Sequence, residues 1–151
     1  MKAVGIGEVV ITTEPGDIIH MIGLGSCVGV FLSVPGKAVA AAHVLLPSSS
    51  GAAGAPPGKF ADTAVPELVR LLRVSGFGSQ RATATLVGGG QVLSFGSNRP
   101  EFDIGRRNAK AVRAALGAAG IRVAIDETGG TKARTARMYV SSGSLEGAAA
   151  A

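Results

Sequence analysis

The stretch Gly25-Ser26-Cys27-Val28-Gly29-Val30-Phe31-Leu32, then Ser33-Val34-Pro35-Gly36-Lys37, then Ala38-Val39-Ala40-Ala41-Ala42-His43-Val44-Leu45-Leu46, decides how this chain is built. Two apolar runs of strand length flank a segment in which proline presets one dihedral and glycine supplies a positive one. The whole therefore reads as a β-hairpin. The first run opens on Cys27, the only cysteine, and the second holds His43, one of two histidines. A hairpin symmetric about Pro35 places Cys27 directly opposite His43, with Cβ atoms ~5 Å apart, near enough for an imidazole to hold a thiolate. A two-residue Pro35-Gly36 loop shifts the pairing by one and sends the two side chains to opposite faces. The turn chemistry admits both registers.

Upstream, Val9-Val10-Ile11 and Ile18-Ile19-His20-Met21-Ile22 read as strands on either side of the turn-like Glu14-Pro15-Gly16-Asp17. Downstream, Pro47 ends the hairpin, and residues 48–58, rich in Ser, Ala, Gly and Pro, read as a mobile loop. Asp62 or Thr63 caps a helix running to Val74, with Pro66 in its first turn and Leu68, Leu71 and Leu72 on one face. Residues 82–87 form a strand leading into Gly88-Gly89-Gly90. Asn108 reads as the cap of a second helix, which ends near Ala118 and turns Val112, Ala115 and Leu116 inward. Residues 121–125 and 136–140 are further strands, and the tail 147–151 carries no packing signal and is expected to be disordered. With no repeat and no long linker, residues 1–151 read as one domain. Several strands with two main helices indicate an α+β layered sandwich, antiparallel where connections are short.

Composition narrows the function. The chain has 151 residues, 46% hydrophobic and 17% charged, which is a globular and not a disordered balance. No run approaches the roughly 18 apolar residues that span a bilayer, and Glu8 interrupts any signal-peptide core. A lone thiol suits a reducing compartment, so a cytoplasmic protein without membrane insertion is expected. The net charge of +5 is uneven: residues 1–74 carry five basic and five acidic side chains, residues 75–151 ten and five. A basic half favours an acidic partner. Nucleic acid is disfavoured, because five Phe, one Tyr and no Trp leave little to stack on bases. One Cys and two His without ligand spacing argue against a metal. The phosphate readings are weak too. Val28 stands where a dinucleotide fingerprint needs glycine, and Phe60 follows Gly58-Lys59 where a P-loop needs Ser or Thr.

An isolated Cys in an apolar strand is a packing residue by default. Here the glycines ahead of Cys27 leave backbone N–H groups of Gly25 and Ser26 free to approach a substrate oxygen, and His43 is the right type of residue for a base. In chain order, Leu24-Gly25-Ser26-Cys27-Val28, His43 with Leu46-Pro47, Gly88-Gly89, Ile104-Gly105-Arg106-Arg107-Asn108 and Gly129-Gly130 resemble the chemoreceptor glutamine deamidases of bacterial chemotaxis, the CheD family. The resemblance runs from about Val4 to Val140.

It implies a three-layer α/β/β sandwich and a cofactor-free cysteine hydrolase. Cys27 would be the nucleophile and His43 the base, acting on glutamine side chains of methyl-accepting chemoreceptor helices. A thiol so paired is expected below the free value of ~8.5. Arg106 and Arg107 would meet the acidic receptor, and a CheC-type phosphatase is an implied partner. The family places a Thr six residues before the Cys as third member of the triad; this chain has Met21, which accepts no strong hydrogen bond. A carbonyl near Gly23 or the Ser26 hydroxyl would have to replace it. Ala133 before Arg134 is a second departure. The alternative is a regulatory binding module of low or no turnover that engages a receptor or phosphatase.

Overall fold

The computed structural model describes residues 1–50, 54–91 and 103–149. Its strands are β1 (Lys2–Ala3), β2 (Val9–Thr12), β3 (Ile18–Leu24), β4 (Val28–Val34), β5 (Ala38–Val44), β6 (Thr83–Gly88), β7 (Arg122–Thr128), β8 (Arg134–Tyr139) and β9 (Leu145–Ala149), with helices α1 (Ala61–Val74) and α2 (Ile104–Ala118). Five strands form one sheet in the order β2-β5-β4-β6-β7, and four form another in the order β1-β3-β8-β9. Pairing is antiparallel except at β1–β3 and β6–β7.

Three layers follow from two cores. Val28, Val30, Leu32 and Val34 of β4 and Ala38, Ala40, Ala42 and Val44 of β5 pack against Ala64, Leu68 and Leu72 of α1 and Val112 and Leu116 of α2. On the opposite face Cys27, Phe31, Val39 and Ala41 meet Ile19, Met21, Leu24, Ala136 and Met138 of the other sheet. Every residue of β4 and β5 is buried, which is why these strands read as continuous apolar runs and not as alternating ones. The α/β/β sandwich is therefore present.

The hairpin register is neither of the two expected. Val34 pairs with Ala38 and Gly29 with His43, so the loop is Pro35-Gly36-Lys37 and its centre is Gly36, at φ 75°. The Lys37 N–H closes the turn on the Val34 carbonyl at 2.9 Å. Relative to symmetry about Pro35, Cys27 slips by two positions from His43. An even slip preserves the face, so both side chains stay in the inter-sheet layer as diagonal neighbours, not as a directly opposed pair.

Other boundaries also move. The strands flanking Glu14–Asp17 are not partners: β2 joins the five-stranded sheet and β3 the four-stranded one. The first helix starts at Ala61, so Pro66 lies in its second turn, and neither Asp62 nor Thr63 caps it. Asp62 instead accepts from the Ser49 N–H at 2.9 Å, tethering the start of the loop read at 48–58, of which 51–53 lie outside the described residues. The second helix starts at Ile104, capped by Asp103 accepting from the Arg106 N–H at 3.0 Å; Asn108 is inside the helix and fully buried. In the tail, Gly147 and its two successors pair with Ala136, Thr135 and Arg134 as the edge of β9, since backbone pairing needs no large side chain. Residues 150–151 lie outside the described residues.

Candidate active site

Parity along β5 sends Val39, Ala41 and His43 to one face, and the same parity along β4 sends Gly29 and Phe31 there with Cys27 just ahead of them. His43 is 2% exposed and Cys27 5%. The imidazole Nδ1 lies 3.0 Å from the Val4 carbonyl oxygen. A carbonyl only accepts, so Nδ1 carries the proton and Nε2 is left as the basic nitrogen. Nε2 is buried with no hydrogen-bond partner, the Cys27 thiol included. Val4 is itself fixed, because its N–H donates to the His20 carbonyl of β3 at 3.0 Å. The orienting acceptor is thus a backbone group of the amino-terminal segment, not the carbonyls near Gly23, the Ser26 hydroxyl or residue 21.

Met21 is fully buried in the inter-sheet core and points its sulfur at Gly29, where an added Cβ would sit 2.9 Å from Sδ. Gly29 is the ladder partner of His43. Met21 therefore fills the volume that Gly29 leaves beside the imidazole, and contributes packing and no hydrogen bond.

Burial decides the resting protonation of both groups. It pushes the Cys27 thiol up, against a smaller opposing effect of its own backbone N–H. It pushes His43 down, offset in part by the Val4 bond and by Glu8. The expected depressed thiol is therefore corrected: the second sheet covers the sulfur and favours its neutral form. At neutral pH the site holds a thiol and a free imidazole base, not a preformed ion pair.

His43 borders a cleft of about 410 Å³ lined also by Val4, Gly5, Ile6, Glu8, His20 and Ile22; Cys27 is not on its wall. The Gly25–Cys27 loop is anchored through its carbonyls. The Gly90 N–H donates to the Gly25 carbonyl and the Gly89 N–H to the Cys27 carbonyl, each at 2.8 Å. Between them the Asn108 side-chain amide donates to the Ser26 carbonyl, and to Leu45, at 2.9 Å each. Gly25 and Ser26 are half-buried, and the Gly25 N–H, expected free for a substrate oxygen, instead donates to the Gly23 carbonyl at 2.9 Å, a tight turn set by Gly23 at φ 70°. Arg106 and Arg107 are exposed and far along the same helix start, Arg106 bordering a second cleft of about 490 Å³ with Asp103, Arg113 and residues 128–131. Arg134 closes the Gly129-Gly130 turn by donating to the Glu127 and Gly129 carbonyls. Among the described residues no three His, Cys, Asp or Glu converge as a metal site, and no helix is long and apolar enough to cross a membrane. Sequence reasoning missed Val4, for which residue type gives no signal, and misread Asn108, whose place in the Ile104–Asn108 motif was visible without its purpose.

The α/β/β sandwich thus brings a buried cysteine and a histidine oriented by a backbone carbonyl to one inner sheet face. The model of the family described as CheD chemotactic sensory transduction matches residues 45–147, downstream of Cys27 and His43. Longer matches cover both residues. The chain is 41% identical over 146 residues to the probable chemoreceptor glutamine deamidase CheD of Symbiobacterium thermophilum, covering 95% of this chain and 88% of that one. Identity and coverage are the same against the chemoreceptor glutamine deamidase CheD of Thermotoga maritima. Against the probable enzyme of Methanococcus maripaludis identity is 36% over 143 residues, covering 94% of this chain and 90% of that one. The chain belongs to the CheD family.

Proposed function

We propose that this protein deamidates glutamine side chains of chemoreceptors to glutamate, with Cys27 as nucleophile and His43 as base. The observation that carries the reading is the unpartnered, buried Nε2 of His43, fixed as a base by Val4 on the sheet face that also bears Cys27. Family membership supplies the substrate class, since the relatives are named chemoreceptor glutamine deamidases.

The neutral resting pair calls for proton transfer during attack. When substrate enters, the thiol closes on Nε2, as catalytic hydrogen bonds often tighten only in the complex. Sγ bonds to the amide carbon while its proton passes to Nε2, and the backbone N–H groups of Ser26 and Cys27 hold the oxyanion, the Gly25 N–H being engaged by the Gly23 carbonyl. The imidazolium returns that proton to the leaving nitrogen, the C–N bond breaks, and ammonia departs. His43 then takes a proton from water, the hydroxide adds to the thioester, and the C–S bond breaks to release glutamate as Nε2 passes that proton to Sγ, restoring thiol and base. Val4 holds the imidazole throughout, the place a third side chain takes in a triad.

The test is mass spectrometry of a receptor cytoplasmic fragment incubated with the protein, its Cys27→Ser variant and its His43→Ala variant. Amide-to-acid conversion is expected with the native chain and a loss of about 10³-fold or more with either variant. Conversion that persists in Cys27→Ser would overturn the assignment. A second reading, a binding module for a receptor or a CheC-type phosphatase, draws on Cys27 being buried, off the wall of the His43 cleft and not hydrogen-bonded to Nε2. It gains if the native chain binds such a partner and converts no glutamine.

A further inference from the structure

We infer that Asn108 is the positioning residue that aims the Cys27 N–H at the substrate oxygen, an inference that rests on Cys27 being the nucleophile. Asn108 is fully buried although polar, and it spends both side-chain hydrogens on two carbonyls from different strand ends, those of Ser26 and Leu45. Ser26 precedes the nucleophile, and Leu45 lies two residues past His43 on the end of its strand. One amide therefore ties the thiol's loop to the base's strand.

The peptide joining Ser26 to Cys27 is trans, as all are among the described residues. In a planar trans peptide the carbonyl and the next N–H point in opposite directions. Holding the Ser26 carbonyl toward α2 turns the Cys27 N–H away from the helix layer and toward the inter-sheet face. That N–H belongs to the residue whose Sγ would bond substrate carbon. No turn or loop bond among the described residues uses it. The flanking carbonyls of Gly25 and Cys27 are held by the Gly90 and Gly89 N–H groups, so three successive carbonyls of the loop are fixed.

Glycines make the reach of Asn108 short enough. A Cβ on Gly105 would collide with the Gly90 carbonyl, and one on Gly88 with the Cys27 carbonyl. The start of α2 thus lies directly on the Gly88–Gly90 backbone, which links the glycine run and the Ile104–Asn108 motif to one task. The Asn108 Oδ1 has no partner. An apolar residue would spare that atom but leave the Ser26 and Leu45 carbonyls without this donor, so a stability cost is expected beside any rate effect and the two must be read separately.

The experiment compares the full chain with Asn108→Ala and, as control, Val112→Ala, which trims α2 in the helix–sheet core. Two rates are read: deamidation of the receptor fragment, and iodoacetamide alkylation of Cys27. Alkylation at a saturated carbon builds no oxyanion, whereas amide attack does. Asn108→Ala is expected to lower kcat about 100-fold with KM within about twofold. Alkylation per folded molecule stays within about threefold, and Val112→Ala moves neither ratio. If Asn108→Ala does not fold, Asn108→Ser is measured in its place. The inference is overturned if kcat stays within about threefold of the native chain, if kcat and alkylation fall together, or if Val112→Ala reproduces the split. Should Cys27→Ser deamidate at the native rate, the nucleophile assignment falls and takes this one with it. Should Cys27→Ser be inactive while Asn108→Ala is fully active, only the Asn108 role falls.

Discussion

His43 takes its orientation from the Val4 carbonyl, so a hydroxyl placed at position 21 cannot orient the ring through Nδ1 without displacing Val4. Met21→Thr is therefore expected not to accelerate acyl-enzyme formation. It removes a fully buried side chain packed on Gly29, and should cost about 2 kcal/mol of stability. Denaturant midpoints and single-turnover acylation check both halves, and a clear acceleration would show that Nδ1 had exchanged Val4 for the new hydroxyl. The two pKa directions give a second prediction. His43, pushed down, stays a free base below pH 6.5, and Cys27, pushed up, stays a thiol above pH 9.0. The kcat/KM profile should hence be flat between those limits, and alkylation of Cys27 should titrate above the free-thiol value of ~8.5. Stability has matching signs. It is full above pH 6.5 and falls as pH drops through the lower folded value of His43, because the unfolded imidazole takes its proton first. At this scale the residue types and their shared face were legible. The thiol's protonation was not, since it depends on a second sheet that local sequence does not reveal.

Among the elements, the hairpin was legible because two apolar runs flank Pro-Gly, but its register was not. Loops of two and three residues are both compatible with Ser33–Lys37, and the Lys37–Val34 bond closes a turn in either, so local sequence leaves the register open. The start of α2 failed differently. Asp103 and Asn108 are both good caps by residue type, and only the packing of Gly105 on Gly90 shows that Asn108 belongs inside. That packing sets up a matched pair of substitutions on one helix. Gly105→Ala drives a Cβ into the Gly90 carbonyl, whereas a Cβ on Gly117 meets nothing within 4 Å. Gly105→Ala should destabilise by about 1–3 kcal/mol and lose deamidation beyond its unfolded fraction, as α2 lifts from the nucleophile loop. Gly117→Ala should stabilise by about 0.5–1 kcal/mol with native activity. Thermal unfolding with parallel deamidation rates distinguishes them, and equal activity of the two folded variants would detach α2 from the site.

Over the whole molecule, the site depends on contacts that cross the sandwich. Val4 donates to β3 in one sheet and accepts from His43 in the other, a closure between distant residues that neither periodicity nor spacing announces. The charge imbalance was legible from the sequence, and the structure says where it goes. Asp126, Glu127 and Glu146 pair with Arg113, Arg134 and Arg137, and Asp103 caps α2. Among the described residues Arg106 and Arg107 form no ion pair and are exposed at the helix start that anchors the nucleophile loop. A receptor helix laid on this side of α2 would find in them the cations that attract its carboxylates. The Arg106 contribution to the cap is its backbone N–H, which any side chain retains, so replacing both arginines by Gln spares the helix start. The double variant should fold with native stability and bind a receptor fragment about threefold to tenfold more weakly at low ionic strength. Its affinity should also change less as salt is raised, because the screened attraction has been removed. Binding measured by calorimetry across a salt series gives both quantities at once. Unchanged affinity at low salt, with an unchanged slope, would return these arginines to a solvated surface and place receptor recognition elsewhere on the molecule.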